Sequence, residues 1–284
     1  MARIWFITGC SSGLGRQIAI AAAQTGDKVV ATSRDPSKLN DLQTISIIPT
    51  KLDVSNESEI KSVVDTVEST IGPIDILINN IGYILEGAVE ECSNDEVLAQ
   101  FDTNVFAQLR VLRAVLPYMR ARRSGVVANI GSIGGWHGEA AAGLYCASKA
   151  AVAIYTEALA AELAPLGVRV TCVEPGYFRT GFLTPGHRVV AGSRILDLEA
   201  TTRLMREGLA AYSLRQPGDP VKGARVLVEA LTLSGRCEGR ELPVRLALGR
   251  DSLTAIGGSL TREREMLDGW GEIVASTDCD DVMG

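Results

Sequence analysis

A doubly wound α/β fold, a seven-stranded parallel sheet flanked by helices, is what this 284-residue chain predicts. Short apolar runs recur near residues 4–7, 28–32, 45–48, 74–78, 126–130, 168–173 and 244–248, with helix-like segments between most of them. Strands buried on both faces read as continuous apolar runs, and their alternation with helices marks a parallel sheet covered on both sides. The first run leads through a glycine-rich turn into an amphipathic stretch. No linker-like run, low-complexity tract or internal repeat divides the chain, so residues 1–284 are expected to form one domain. The implied strand order is the doubly wound 3-2-1-4-5-6, with a seventh strand at 244–248.

The opening unit is Ile4-Trp5-Phe6-Ile7, then Thr8-Gly9-Cys10-Ser11-Ser12-Gly13-Leu14-Gly15, then a helical stretch from Arg16 to about Gln24. Strand, glycine turn and helix together make a phosphate site, because helix N–H groups and the helix dipole favour an anion. Gly9 would make the tight turn, Gly13 would admit the pyrophosphate, and Gly15 would let the helix pack closely on the sheet. Gly9, Ser11, Ser12, Gly13 and Leu14 are therefore expected to contact a dinucleotide. The second apolar run, Lys28 to Thr32, ends in Ser33-Arg34-Asp35. A carboxylate at the tip of this strand accepts the ribose 2′-hydroxyl of NAD, whereas arginine accommodates the 2′-phosphate of NADP. Ser33 takes the acidic position and Arg34 follows it, which suits a phosphate. A shift of two residues would instead place Asp35 on the ribose. NADP(H) is favoured over NAD(H).

Tyr145 and Lys149 stand four residues apart, with Ser132 thirteen residues upstream. Positions i and i+4 share a helix face. A free phenol has a pKa of about 10. An ammonium about 4 Å away, at an effective dielectric near 20, favours the phenolate by roughly 4 kcal/mol, and burial opposes part of that shift. The expectation is a tyrosine that exchanges a proton near neutral pH, as carbonyl reduction or alcohol oxidation requires. Ser132 follows the apolar strand Gly125–Ile130, at the sheet edge where open α/β proteins bind ligands.

With these pieces in order, the chain resembles the short-chain dehydrogenase/reductase family in its roughly 250-residue form, a Rossmann-type fold. The resemblance covers nearly the whole sequence. It rests on Thr8 to Gly15, Leu52-Asp53-Val54, Asn79-Asn80-Ile81-Gly82, Asn104, Ser132, Tyr145, Lys149 and Pro175-Gly176 through Thr180. It implies that Asn104, Ser132, Tyr145 and Lys149 are catalytic. Asp53, beside Val54, would bond the adenine amino group. Asn80 and Gly82 would hold the strand beside the cofactor, and Thr180, after Pro175 and Gly176, would contact the nicotinamide amide. Lys149 would also bind the nicotinamide ribose, and Asn104 would anchor a water linking Lys149 to solvent. Gly131 stands where many relatives have serine, which would loosen hydrogen bonding in that turn, and Ile81 replaces a common alanine, which would tighten packing. The ending, Leu248 to Asp251 and a helix near 252–275, resembles a subgroup called 17β-hydroxysteroid-dehydrogenase-like.

The family builds its substrate pocket from loops here at 83–86, 133–138 and a lid of about 177–214. Trp136, His137, Tyr177, Phe182 and Met205 are the substrate-side candidates, with Leu183 and Leu204 adding apolar surface. Ile195, Leu198, Leu204 and Leu209 give residues 193–212 helical spacing, as in a lid that excludes water. Small residues on helix 145–164 (Ala147, Ala150, Ala151, Ala158, Ala161) permit close helix approach, and relatives pair this helix across a two-fold axis, which implies a homodimer or homotetramer.

A net charge of −6 argues against nucleic-acid binding, and the cluster Arg120, Arg122, Arg123 reads as a solvated helix carboxyl end. Six cysteines without a Cys-x-x-Cys pair read as intracellular free thiols. Cys10 and Cys146 lie where alkylation would inactivate the protein. Two histidines and no His/Cys cluster leave no metal site in prospect. No leader precedes the first strand and no apolar run nears the length that spans a bilayer, so a soluble, cytoplasmic protein is expected.

The leading expectation is an NADPH-dependent oxidoreductase acting on a medium-sized, mostly apolar ketone or secondary alcohol, running toward reduction. Two alternatives stay open: the same fold used for isomerisation, dehydration or epimerisation in a biosynthetic pathway, and a nucleotide-binding regulator without chemistry.

Overall fold

The computed structural model describes residues 2–279. Seven parallel strands form one sheet: β1 (Ile4–Ile7), β2 (Lys28–Ser33), β3 (Ile47–Lys51), β4 (Ile76–Asn79), β6 (Gly125–Ile130), β7 (Val168–Pro175) and β9 (Arg245–Leu248). Their spatial order is β3-β2-β1-β4-β6-β7-β9, the expected doubly wound order with its seventh strand on the outer edge. The apolar runs at 45–48 and 74–78 become strands beginning two residues later. Asp75 explains the second delay, since its carboxylate and carbonyl are spent on Ile4 N (2.8 Å) and Val126 N (2.9 Å).

Alternation along each strand sends side chains to opposite faces. Trp5, Ile7, Val29 and Ala31 pack under α1 (Gly13–Gln24) and α7 (Pro220–Thr232). Ile4, Phe6, Val30 and Leu77 pack under α2 (Glu57–Thr70), α4 (Ala107–Arg122) and α5 (Gly143–Leu163). Two helix starts follow directly from sequence: Asn56 accepts from Glu59 N to cap α2, and Asp219, with Pro220 next, caps α7. At the end of α4, Arg120 and Arg123 are exposed as expected, while Arg122 is partly covered. Arg122 reaches Glu68 at 3.3 Å and the Ile74 carbonyl, and Arg123 bonds the Pro165 carbonyl.

A second, two-stranded parallel sheet was not foreseen. β5 (Ile84–Glu86) pairs with β8 (Arg188–Val190), so the segment expected as a substrate loop is a strand that fastens the lid. Carboxylates reinforce the seam. Glu86 lies 3.4 Å from Arg188 Nε, Glu91 accepts from Ile195 N at 3.0 Å, and Glu96, at the start of α3 (Asn94–Phe101), accepts from Gly192 N at 2.8 Å. The lid's helix α6 (Glu199–Tyr212) begins six residues later than its apolar spacing suggested, after a single 3₁₀ turn at Leu196–Leu198. The last helix, α8 (Arg250–Ala275), falls where expected.

Candidate active site

A cavity of about 1040 Å³ runs along the carboxyl ends of the central strands. Its floor is the turn between β1 and α1, where Gly9 and Gly13 adopt φ of +71° and +63°, a region that penalises any Cβ. Asn80 staples this turn. Its Nδ2 donates to the carbonyls of Thr8 and Gly9, both at 3.0 Å, and its N–H donates to Thr8 Oγ1 at 2.9 Å. A Cβ at Gly15 would stand 2.3 Å from Asn80 Nδ2. The same Cβ would stand 2.7 Å from the Gly9 carbonyl oxygen, so Gly15 admits both the asparagine and the close approach of α1 to the turn after β1. Ser12 caps α1 without a side-chain hydrogen bond, and the first-turn residues Gly13 and Leu14 line the cavity beside Ser11.

At the end of the cavity beside β2 and β3, Ser33, Arg34, Asp53 and Val54 line it and Asp35 does not. Asp35 Oδ1 accepts from Ser37 N (3.1 Å) and Ser37 Oγ (2.6 Å), capping the 3₁₀ turn Pro36–Leu42. Asp53 Oδ1 accepts from Ser55 N and Ser55 Oγ, which hold its carboxyl below the usual range.

Midway, Ser132, Tyr145 and Lys149 meet on one wall. Ser132 lies two residues beyond β6 and accepts from Gly134 N at 3.0 Å, so it is both a turn residue and a cavity residue. Tyr145 lies in the first turn of α5 and Lys149 one turn on. Lys149 Nζ donates to the Ile130 carbonyl at 2.8 Å and lies 5.9 Å from the Tyr145 ring centroid. The sequence argument expected a lowered phenol pKa. Instead burial pushes Tyr145 well above its ordinary value, with the Ser132 hydroxyl acting in the opposite sense. Burial also pushes the Lys149 ammonium down to about 8. Desolvation is the dominant cause at both groups.

Asn104 stands in a π-helical turn, Asp102–Phe106, between α3 and α4, a feature frequent at functional sites. Its side chain brackets Tyr83, accepting from the N–H and donating to the carbonyl, both at 3.0 Å, and Nδ2 also donates to Ser148 Oγ at 3.1 Å. A Cβ at Gly82 would lie 3.3 Å from both Asn104 Oδ1 and Lys149 Nζ, so Gly82 is the gap between them.

The short chain dehydrogenase family model matches residues 3–187. The chain belongs to this family. Over 261 residues it is 34% identical to oxidoreductase BOA17 of Botryotinia fuckeliana, covering 90% of this chain and 92% of that one. The solved short-chain dehydrogenase from Streptomyces avermitilis is 37% identical with a TM-score of 0.90, over 98% of this chain and 100% of that one. A gluconate 5-dehydrogenase from Burkholderia cenocepacia, solved with NADP and tartrate, is 28% identical with a TM-score of 0.61, over 64% of this chain and 74% of its own. The protein is an oxidoreductase enzyme of the NAD(P)-dependent dehydrogenase/reductase class.

The two departures from the short-chain dehydrogenase pattern have physical causes. A Cβ at Gly131 would stand 2.6 Å from Cys172 Sγ, so glycine accompanies that cysteine, and the turn keeps a 2.7 Å bond from Gly131 N to the Val173 carbonyl. Ile81 packs its Cγ1 over Gly9, as expected of a tighter contact. Toward the lid, Tyr177, Phe182, Met205 and His137 line the cavity, joined by Ile84, Leu183, Leu209 and Tyr212. The Phe182 ring lies 6.1 Å from that of Tyr145. His137 bonds Glu139 at 3.0 Å and Ser259 at 3.3 Å.

Trp136 is not part of this wall. Its Nε1 donates to the buried Glu174 at 2.8 Å and the Arg245 guanidinium stacks 3.7 Å from its ring, because a buried carboxylate needs both partners. Leu204 is likewise excluded, pointing outward at 71% exposure. Cys10 and Cys146 are buried and burial raises both thiols, Cys10 to about 12, which makes them poor nucleophiles. Both shifts run against ready alkylation, although Cys146 also lines the cavity. The sequence also missed His187, which lines the cavity with its Nε2 3.4 Å from Ser12 Oγ. No motif surrounds it, and only the β5–β8 seam brings it over the turn between β1 and α1. Among the described residues, no helix is long and apolar enough to cross a membrane.

Proposed function

We propose that this enzyme is an NADPH-dependent reductase of a medium-sized, mostly apolar ketone, with the reverse alcohol oxidation using the same groups. The carrying observation is that Ser132, Tyr145 and Lys149 share one cavity whose far end presents Ser33 and Arg34, while Asp35 is spent on a helix cap. The residues present fit a phosphorylated dinucleotide. The left-handed Gly9 and Gly13, the uncapped start of α1 and Arg34 form a cradle for anions, and Arg34 matches a phosphate better than a hydroxyl. Gly82, Asn80, Asp53, Val54, Pro175, Gly176 and Thr180 would complete the cofactor contacts. The cavity exceeds what one drug-sized ligand fills, which supports a substrate beside the cofactor.

The nicotinamide, when bound, supplies the hydride. Tyr145 gives its proton to the carbonyl oxygen, and the buried neutral phenol is the form that can donate. Ser132 Oγ donates a hydrogen bond to the same oxygen. Lys149 offsets the negative charge left on Tyr145, and its buried position strengthens that attraction. Asn104 acts as a positioning residue, fixing Tyr83 against α5. Ile84, Phe182, Leu183, Met205 and Leu209 exclude water and favour an apolar body around the ketone. A cytoplasmic homo-oligomer accords with the free thiols and with exposed Phe106 and Ile154 near the helix that relatives pair.

Tyr145→Phe tests the chemistry. Turnover of an accepted ketone should fall roughly 100- to 10,000-fold with NADPH binding by fluorescence retained, and full turnover would remove Tyr145 as the acid. Arg34→Ala tests the cofactor. Calorimetric Kd for NADPH should rise roughly 10- to 100-fold with that for NADH unmoved, whereas equal effects would overturn the preference.

A further inference from the structure

The cavity toward the lid is mostly apolar, which makes its charged groups informative. Two carboxylates line it there, Asp251 and Glu139. Asp251 is committed to the backbone: Oδ2 accepts from Tyr177 N at 2.6 Å and Oδ1 from Ser252 N at 3.0 Å. Glu139 is not. Its Oε1 meets His137 Nε2 at 3.0 Å, and among the described residues no other hydrogen bond engages this carboxylate. The side chain is 40% exposed and lines the cavity, so one oxygen stays open to a ligand.

A relay holds the pair from behind. Arg262 Nη2 donates to Ser259 Oγ at 3.1 Å, and the serine proton passes on to His137 Nδ1 at 3.3 Å, since arginine has only protons to give. The ring hydrogen is left on Nε2, facing Glu139. Ser259 is 2% exposed, so the support is sealed between α8 and the turn after Ser132. A bond from the fixed imidazole to an ionised acceptor is of the stronger, charge-assisted kind.

The chain ties Glu139 to the chemistry. Its carbonyl accepts from Ala142 N at 3.0 Å, closing the turn from which α5 and its Tyr145 start. Burial raises the Cys146 thiol and the Glu139 charge acts in the same sense, so the carboxylate is in electrostatic reach of the residue beside Tyr145. Of the lysines and arginines among the described residues, only Arg34 and Lys149 line the cavity. Arg34 stands at the end beside β2, and Lys149 donates to the Ile130 carbonyl. An anionic substituent near Glu139 would meet like charge and no base. A hydroxyl or an ammonium would find an acceptor.

We propose that Glu139 is a specificity-determining residue that accepts a hydrogen bond from a hydroxyl or ammonium group of the ketone, with His137 and Ser259 as positioning residues. The substrate class is then an apolar ketone bearing a second, hydrogen-bond-donating group and no carboxylate or phosphate beside it. This rests on the reductase reading and narrows its substrate.

Four acetophenones differing only in the para substituent (ethyl, hydroxymethyl, aminomethyl and carboxylate) test it. Calorimetric Kd is measured on Tyr145→Phe loaded with NADPH, where turnover does not interfere, and kcat/KM on the wild type. A donor-bearing ketone should bind roughly 10-fold tighter than the ethyl one, and the carboxylate should bind weakest. Glu139→Leu should bring the ratio to parity. Glu139→Gln, which keeps an acceptor but no charge, separates the donors: a hydroxyl preference survives it and an ammonium preference does not. Ser259→Ala should shrink the ratio roughly 3-fold with unchanged circular dichroism, and an unmoved ratio would remove the positioning role. Equal affinities, no binding, or a ratio that Glu139→Leu leaves intact would overturn the assignment of Glu139. Donor-selective binding without wild-type turnover of any of the four would fault the reductase reading and leave Glu139 in place.

Discussion

Lys149→Met should stabilise the protein while abolishing its chemistry. Lys149 is 3% exposed and its ammonium is held at about 8, against an ordinary 10.5. The sign follows from proton linkage. At pH 7 the unfolded chain binds this proton with its full affinity and the folded chain binds it more weakly, so the charge opposes folding below pH 8. That penalty fades as pH rises from 8 towards 10.5. At 1.36 kcal/mol per pKa unit, the penalty is about 3 kcal/mol at pH 7 and about 1 kcal/mol at pH 9.5. Methionine removes the charge and fills similar space, but forfeits the bond from Nζ to the Ile130 carbonyl, a loss of about 1.5–3 kcal/mol. The absolute gain at pH 7 is thus small. The difference between the two pH values is the sharper quantity, because the lost bond partly cancels from it. Urea unfolding of the apo wild type and variant at both pH values measures it. The variant's advantage should shrink by about 2 kcal/mol on going to pH 9.5. An advantage that is constant or grows would refute the desolvation account of this site.

Gly131→Ser alone should destabilise by about 1–3 kcal/mol through overpacking against Cys172, and adding Cys172→Ala should restore the melting temperature. Failure of that rescue would show the clash to be misassigned. Trp136→Phe removes one partner of the buried Glu174 and should cost about 1–3 kcal/mol in chemical denaturation. KM for ketones should stay unchanged, and a raised KM would return Trp136 to the substrate wall. N-ethylmaleimide at neutral pH should modify the exposed Cys279 and spare activity. Mass spectrometry showing adducts on Cys10 or Cys146, with inactivation, would contradict their burial.

What the sequence displayed and what it hid divide by range. Gly9, Gly13, Arg34, Ser132, Tyr145 and Lys149 could be placed because strand ends and a four-residue helical step are local facts. Asp35 remained ambiguous in sequence, since a cap and a ribose ligand use the same carboxylate, and only the Ser37 bonds distinguish them. Trp136 and Leu204 were assigned to the pocket because apolar character carries no direction. Their orientation depends on Glu174, Arg245 and the way α6 lies, all distant in sequence. The direction of the phenol shift is not legible in sequence, because a shared helix face limits the distance between Tyr145 and Lys149 but says nothing of the water each has lost. His187 needed a strand pairing more than 100 residues long in sequence separation, β5 to β8, which no local pattern announces.

That small parallel ribbon bears on any attempt to alter what the enzyme accepts. Ile84 N and Glu86 O are spoken for by His187 O and Ala191 N, and Ile84 begins two residues after the glycine that separates Lys149 from Asn104. Exchanging the 181–192 stretch for a foreign one would strand those amide groups and the Glu86 carboxylate at once. A designer grafting new selectivity would do better to transplant 83–96 and 181–195 together, as a matched pair.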